Sequence, residues 1–147
     1  MAEPQLARLL LAAHRALAAE LVVELEERGW PDLRASQAVL VLNVDRRFGT
    51  RLTELARRGG VTKQAMMVVV DDLEVRGLVR RTPDQEDGRA KVVRLTARGR
   101  TFAAECRRAV AAVEARAKRA LGGRRYDLLR ETLDLLLEAE DEEENEA

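Results

Sequence analysis

The stretch from Leu52 to Leu95 constrains this chain most, because its glycines cut it into short pieces of distinct type. Leu52-Thr53-Glu54-Leu55-Ala56 opens a helix with Thr53 as its N-cap, and Gly59-Gly60 stops it. Thr62 then caps a second helix, Lys63 to Arg76, which Gly77 ends as a C′ residue. Val79 to Thr82 and Lys91 to Leu95 read as strands, and the polar segment Pro83 to Ala90 between them carries turn residues. Helix, tight turn, helix, hairpin is the order of a winged helix-turn-helix. The second helix of such a motif is shaped to enter a DNA major groove.

The flanks are helical. Leu6, Leu10, Ala13, Leu17, Leu21 and Leu25 recur every three or four residues and make one apolar stripe on a helix from about Gln5 to Arg28, which Gly29-Trp30-Pro31 ends. A second helix is expected near Ala35 to Asp45, with Val39, Leu40 and Leu42 on its buried side, followed by an Arg46-Arg47-Phe48-Gly49 loop. Thr50-Arg51 is suited to a very short strand beside the hairpin. After it, Thr96 caps a helix to about Leu121 with Ala103, Cys106, Val110, Val113, Ala117 and Ala120 in its stripe. Gly122-Gly123 breaks that helix, and a last one, about Arg124 to Glu138, carries Leu129, Leu133 and Leu136, with Leu128 and Leu135 extending the apolar surface. These stripes exceed what a small wing domain needs to cover, so a second copy is expected to take up the excess.

The expected fold is therefore mainly α with a small β-hairpin wing. It is a single domain of 147 residues, with a dimerisation helix at 5–30, the winged helix-turn-helix at 33–95, dimerisation helices at 96–140, and an acidic disordered tail at 141–147.

A net charge of zero conceals a division. Residues 45–100 hold fourteen basic and eight acidic side chains, a net of +6, whereas residues 138–147 hold seven acidic and no basic ones. Counterion release depends on the local patch, so the middle of the chain suits a polyanion.

Laid out at about 100° per residue, the second helix of the motif turns Met66, Val69, Val70 and Leu73 to the core. Gln64, Met67, Val68 and Asp71 fall opposite, with Lys63 at their flank. Gln64 can pair with an adenine edge, and Met67 or Val68 can touch a thymine methyl. A slight rotation would instead bury one of that apolar pair, and an exposed Met67-Val68 patch would also serve protein contact. Lys63 suits a phosphate, as do Arg80, Arg81, Lys91 and Arg94. Asp71 would repel phosphates, so it pairs with an arginine or accepts from a cytosine. In the hairpin loop Gly88 permits the turn, Asp87 holds Arg89 extended, and Arg89 sits where a wing reaches a minor groove.

His14 and Cys106 are the only histidine and cysteine. No cluster has metal-ligand spacing and no glycine-rich phosphate loop follows a strand, so neither an enzyme, a metal site nor a bound cofactor is expected. One cysteine excludes an internal disulfide and suits a reducing cytoplasm, while leaving open a one-cysteine redox sensor. Met1-Ala2-Glu3-Pro4 lacks the basic and apolar regions of an export signal, and no apolar run spans a bilayer.

The chain resembles the MarR family of bacterial transcription regulators. The likeness lies in Leu33 and Gln37 to Leu40, Leu52-Thr53-Glu54-Leu55-Ala56, Val61-Thr62-Lys63-Gln64, Val70-Asp71-Asp72-Leu73-Glu74, Arg76-Gly77-Leu78-Val79-Arg80-Arg81, and Asp87-Gly88-Arg89 followed by Leu95-Thr96 and Gly99. The resemblance implies a homodimer joined by terminal helices, a palindromic double-stranded DNA operator, and release by a small molecule. Met67 and Val68 depart from the polar or basic residues usual there. Gly59 replaces a usual hydrophobic residue, which implies a looser turn. An effector is expected between the dimer helices and the winged domain, where Trp30, Arg46, Arg47 and Phe48 would offer a small aromatic anion a stacking face and a cation. The plainer reading has Trp30 plugging a helix junction, Phe48 in the core and the arginines solvated.

Overall fold

The computed structural model describes residues 5–146, and Met1–Pro4 and Ala147 lie outside them. The chain divides into two compact units, residues 1–110 and 111–147. The first holds α1 (Leu6–Glu27), α2 (Ala35–Asn43), β1 (Thr50–Arg51), α3 (Leu52–Gly59), α4 (Lys63–Val75), β2 (Val79–Pro83), β3 (Lys91–Leu95) and the start of α5 (Ala97–Leu121). The second holds the end of α5 and all of α6 (Gly123–Glu146). Among the described residues no helix is long and apolar enough to cross a membrane.

The sheet is antiparallel in the order β1-β3-β2, with Thr50 opposite Val93 and Val79 opposite Leu95. The short strand expected at Thr50-Arg51 is present, and it alters the helix that follows. Because β1 runs straight into α3, Arg51 and not Thr53 occupies the N-cap position, with no side-chain cap. Gly60 closes α3 in the left-handed conformation, at φ +62°. The Gly59 departure does not leave a void. The Met66 methyl lies 3.0 Å from where a Cβ on Gly59 would stand, so Met66 fills that side of the turn.

The core of the first unit is built from Leu25, Leu40, Val41, Leu55, Val70, Leu73, Leu78, Val93 and Phe102. In α2 the buried side is Gln37, Ala38, Leu40 and Val41, whereas Val39 is exposed and Leu42 half-buried; the helix is turned from the expected orientation to seat Gln37. Only the end of the α1 stripe, Leu21 and Leu25, is buried, and Leu6 and Leu17 face outward.

The Thr96-to-Gly99 signal has a steric cause. A Cβ on Gly99 would stand 1.8 Å from the Leu78 carbonyl oxygen. Thr96 Oγ1 accepts from the Gly99 N–H at 2.9 Å and donates to the Gly77 carbonyl at 2.6 Å, so one hydroxyl caps α5 and ties it to the end of α4.

In the second unit Gly122, at φ +80°, breaks the chain as expected. Lys118 pairs with Asp127 at 3.3 Å across that break. Leu128, Leu129, Leu135, Leu136 and Leu137 on α6 are exposed. The backbone remains helical through Glu146, where the sequence suggested disorder from residue 141. Alanine and glutamate favour helix, and no glycine or proline interrupts them.

Candidate nucleic-acid interface

The helix α4 is anchored at its start. Thr62 Oγ1 accepts from the Ala65 N–H at 3.1 Å, which satisfies one of the free amides of the first turn. Met66, Val70 and Leu73 are buried and Val69 is half-buried. The other side presents Lys63, Gln64, Met67, Val68 and Asp71 to solvent. Met67 is 42% and Val68 60% exposed, so no rotation hides either of them. Among the described residues neither Lys63 nor Gln64 has a side-chain partner, and both are free to meet a ligand.

Asp71 is neutralised from the sheet. Arg81 on β2 donates to Asp71 at 2.5 Å and also to Glu74, and the Arg81 N–H donates to Glu74 at 3.1 Å. Its charge is therefore committed to α4, in contrast to the phosphate contact expected from sequence. Arg94 is similarly engaged: Nε donates to Thr82 Oγ1 at 3.1 Å and Nη1 to the Arg47 carbonyl at 2.9 Å, holding the 46–49 loop on the sheet. Gly49 belongs to the same junction, since a Cβ there would stand 2.8 Å from both the Val93 oxygen and Arg94 Cγ. Arg80 and Lys91 are exposed and, among the described residues, unpaired.

In the hairpin loop Asp87 accepts the Arg89 N–H at 3.1 Å, so it orients the Arg89 backbone; no carboxylate pairs with its guanidinium among the described residues. Gly88 is not in the left-handed region, and a Cβ there would meet nothing within 4 Å, so the turn does not depend on a glycine as expected.

The residues expected to line one effector site are not brought together: Trp30 and Phe48 belong to separate aromatic–cation groups, and exposed Arg46 is in neither. Trp30 packs on Phe102, ring centroids 4.9 Å apart, and the Arg98 guanidinium stands 5.6 Å from its ring. Arg47 stands 5.0 Å from the ring of Phe48, which is 58% exposed and not core. Phe48 lines a cleft of about 350 Å³ with Arg51, Asp84, Val92 and Arg94, and Trp30 is not part of it. Sequence reasoning gave Arg51, Asp84, Arg98 and Gln37 no part in a site. Their partners lie far along the chain, so no local spacing signals them.

Cys106 is fully buried and its thiol is pushed up to about 12 by that burial. Among the described residues no group of three or more His, Cys, Asp or Glu side chains is placed to hold a metal ion.

A capped helix offering an amide and a cation, set against a three-stranded wing, defines a winged helix-turn-helix protein. A family model described as "MarR family" matches residues 31–90. The HTH-type transcriptional repressor Rv2887 of Mycobacterium tuberculosis (strain ATCC 25618 / H37Rv) is 43% identical over 68 residues, 46% of this chain and 49% of that protein. The chain thus spans about half the length of the curated relatives it matches. The crystal structure of the M. tuberculosis MarR family protein Rv2887 in complex with salicylic acid is similar at 30% identity and a TM-score of 0.69, over 91% of this chain and 97% of that one. The transcriptional repressor CouR bound to a 23-mer DNA duplex is similar at 27% identity and a TM-score of 0.79, over 90% and 92% of the two chains. The chain belongs to the MarR family.

Proposed function

We propose that this protein is a sequence-specific double-stranded DNA-binding repressor. It acts as a homodimer on a palindromic operator and is released by a small aromatic anion. The observation that carries this reading is the solvent-facing side of α4. It offers free Lys63 and Gln64 beside exposed Met67 and Val68, while Arg81 cancels the one acidic group among them. Lys63 supplies a phosphate contact, Gln64 an adenine edge, and the apolar pair a thymine methyl. Thr62 supports them by capping the helix, and Arg80, Lys91 and Arg89 extend the cationic reach from the hairpin.

The exposed leucines of α1 and, separately, those of α6 support a symmetric dimer, whose two-fold axis matches a palindromic site. Relatives crystallised with DNA and with salicylic acid support the operator and the effector class. Trp30 with Arg98, and Phe48 with Arg47, each combine a ring face with a guanidinium. The protein works by binding and not by catalysis, in the cytoplasm. Fluorescence anisotropy on duplex DNA tests the reading. Binding should fall steeply with salt, and Lys63→Ala should weaken all sequences alike, whereas Gln64→Ala should relax preference at one base pair, by about 1–3 kcal/mol. Salt-independent affinity would refute it.

A further inference from the structure

Asp84 is the first residue after β2, and the order of the hairpin loop depends on it. Its Oδ2 accepts Arg51 Nε at 2.7 Å and Nη2 at 2.6 Å. Its Oδ1 accepts the Glu86 N–H at 3.0 Å, and its own N–H donates to the Ala90 carbonyl at 2.9 Å, closing the base of the loop. The Ala90 N–H returns to the Asp87 carbonyl at 3.0 Å, next to the Asp87 side chain that accepts from Arg89. Arg51 is equally fixed at its other end, because its backbone pairs with Val92 in β1 and occupies the N-cap position of α3. The Asp84 side chain is 13% exposed, and an open cleft lined by Phe48, Gly49 and Val92 lies beside the pair. Across 33 residues, then, one guanidinium joins the first helix of the motif to the loop that carries Arg89.

We propose that Arg51 and Asp84 form a latch that positions the wing, so that this pair sets how Arg89 meets the minor groove. The inference rests on the DNA-binding reading above. The latch has two consequences for a polyanion. Arg51 cancels a carboxylate that would otherwise face the phosphates, and the ion pair holds the loop backbone so that Arg89 enters without first being ordered. A merely electrostatic Arg51 would act differently. Removing Asp84 would then free a cation and tighten binding.

The test uses the full-length protein with Arg51→Gln, Asp84→Asn, and the exchanged pair Arg51→Asp with Asp84→Arg. Affinity is measured on one operator core with A·T-rich or G·C-rich flanks, and hydrogen exchange at the Glu86 and Ala90 amides is measured without DNA. The latch predicts that both single variants exchange faster at those amides and lose the A·T-flank preference several-fold. The base preference read by Gln64 should remain, and the exchanged pair should recover flank preference to within about twofold. If Asp84→Asn tightens binding with flank preference intact, Arg51 is a phosphate contact and the latch is wrong. Unchanged exchange in both single variants refutes it as well. Wild-type protein that binds no duplex would overturn the DNA reading and this role with it. Wild-type binding with unaltered flank preference in both variants would overturn the latch alone.

Discussion

The side-chain amide of Gln37, fully buried on α2, donates to the carboxylate of Asp72 on α4 and accepts the Arg34 N–H at 2.8 Å. Asp72 also accepts Arg76 Nε at 3.0 Å. A buried polar group thus ties α2 to α4 through directional hydrogen bonds. Gln37→Ala removes the acceptor of the Arg34 N–H and one of the donors to Asp72 and should destabilise the fold by about 1–3 kcal/mol. Urea unfolding checks this, with a lowered midpoint at unchanged slope expected.

The Arg81–Asp71 pair makes a prediction that a phosphate contact does not. Arg81→Ala should weaken DNA binding by exposing an unneutralised carboxylate on the reading face. Adding Asp71→Asn should then restore most of the affinity. If the double variant binds as poorly as the single one, Arg81 touches DNA directly.

Much of the fold could be read from the sequence because its signals are local. Glycines at fixed offsets from apolar runs marked α3, α4 and the hairpin, and the α4 face followed from helical periodicity. Thr62 and Thr96 announced their helices within four residues. What could not be read joins distant segments. Gln37 with Asp72, Arg51 with Asp84, and Arg98 with Trp30 depend on packing that no spacing encodes. The Gly88 expectation failed for a related reason: a glycine in a polar loop suggests φ freedom, yet the Asp84 and Asp87 hydrogen bonds shape the turn instead. Met67 and Val68 were placed outward correctly, because helical periodicity alone fixes that face.

Cys106 should not respond to oxidant. Its thiol is neutral below about 12, so almost no thiolate exists near neutral pH. Dilute peroxide should leave DNA binding unaltered in wild type and in Cys106→Ser alike. Inhibition that Cys106→Ser abolishes would establish the redox reading instead.

Glu54 supplies a pH test. Hydrogen bonds from Arg57 and then Arg58 lower its carboxyl from 4.5 to about 2. A depressed carboxyl contributes its stabilisation above the unfolded value, and that contribution is lost as pH falls through the folded one. The window therefore lies between 4.5 and about 2. Because the group is exposed, the effect on stability is small. An NMR titration of the Glu54 side chain should give a midpoint near 2, and a midpoint near 4.5 would show that the two arginines do not hold it.

Selection from a pool of random duplexes tests the central claim most directly. Full-length protein should enrich an inverted repeat whose half-sites lie about one helical turn apart, with the preference at one position of each half-site relaxed by Gln64→Ala. If no sequence is enriched over the starting pool, the α4 face does not read DNA, and the exposed Met67–Val68 pair would then mark a surface for protein contact.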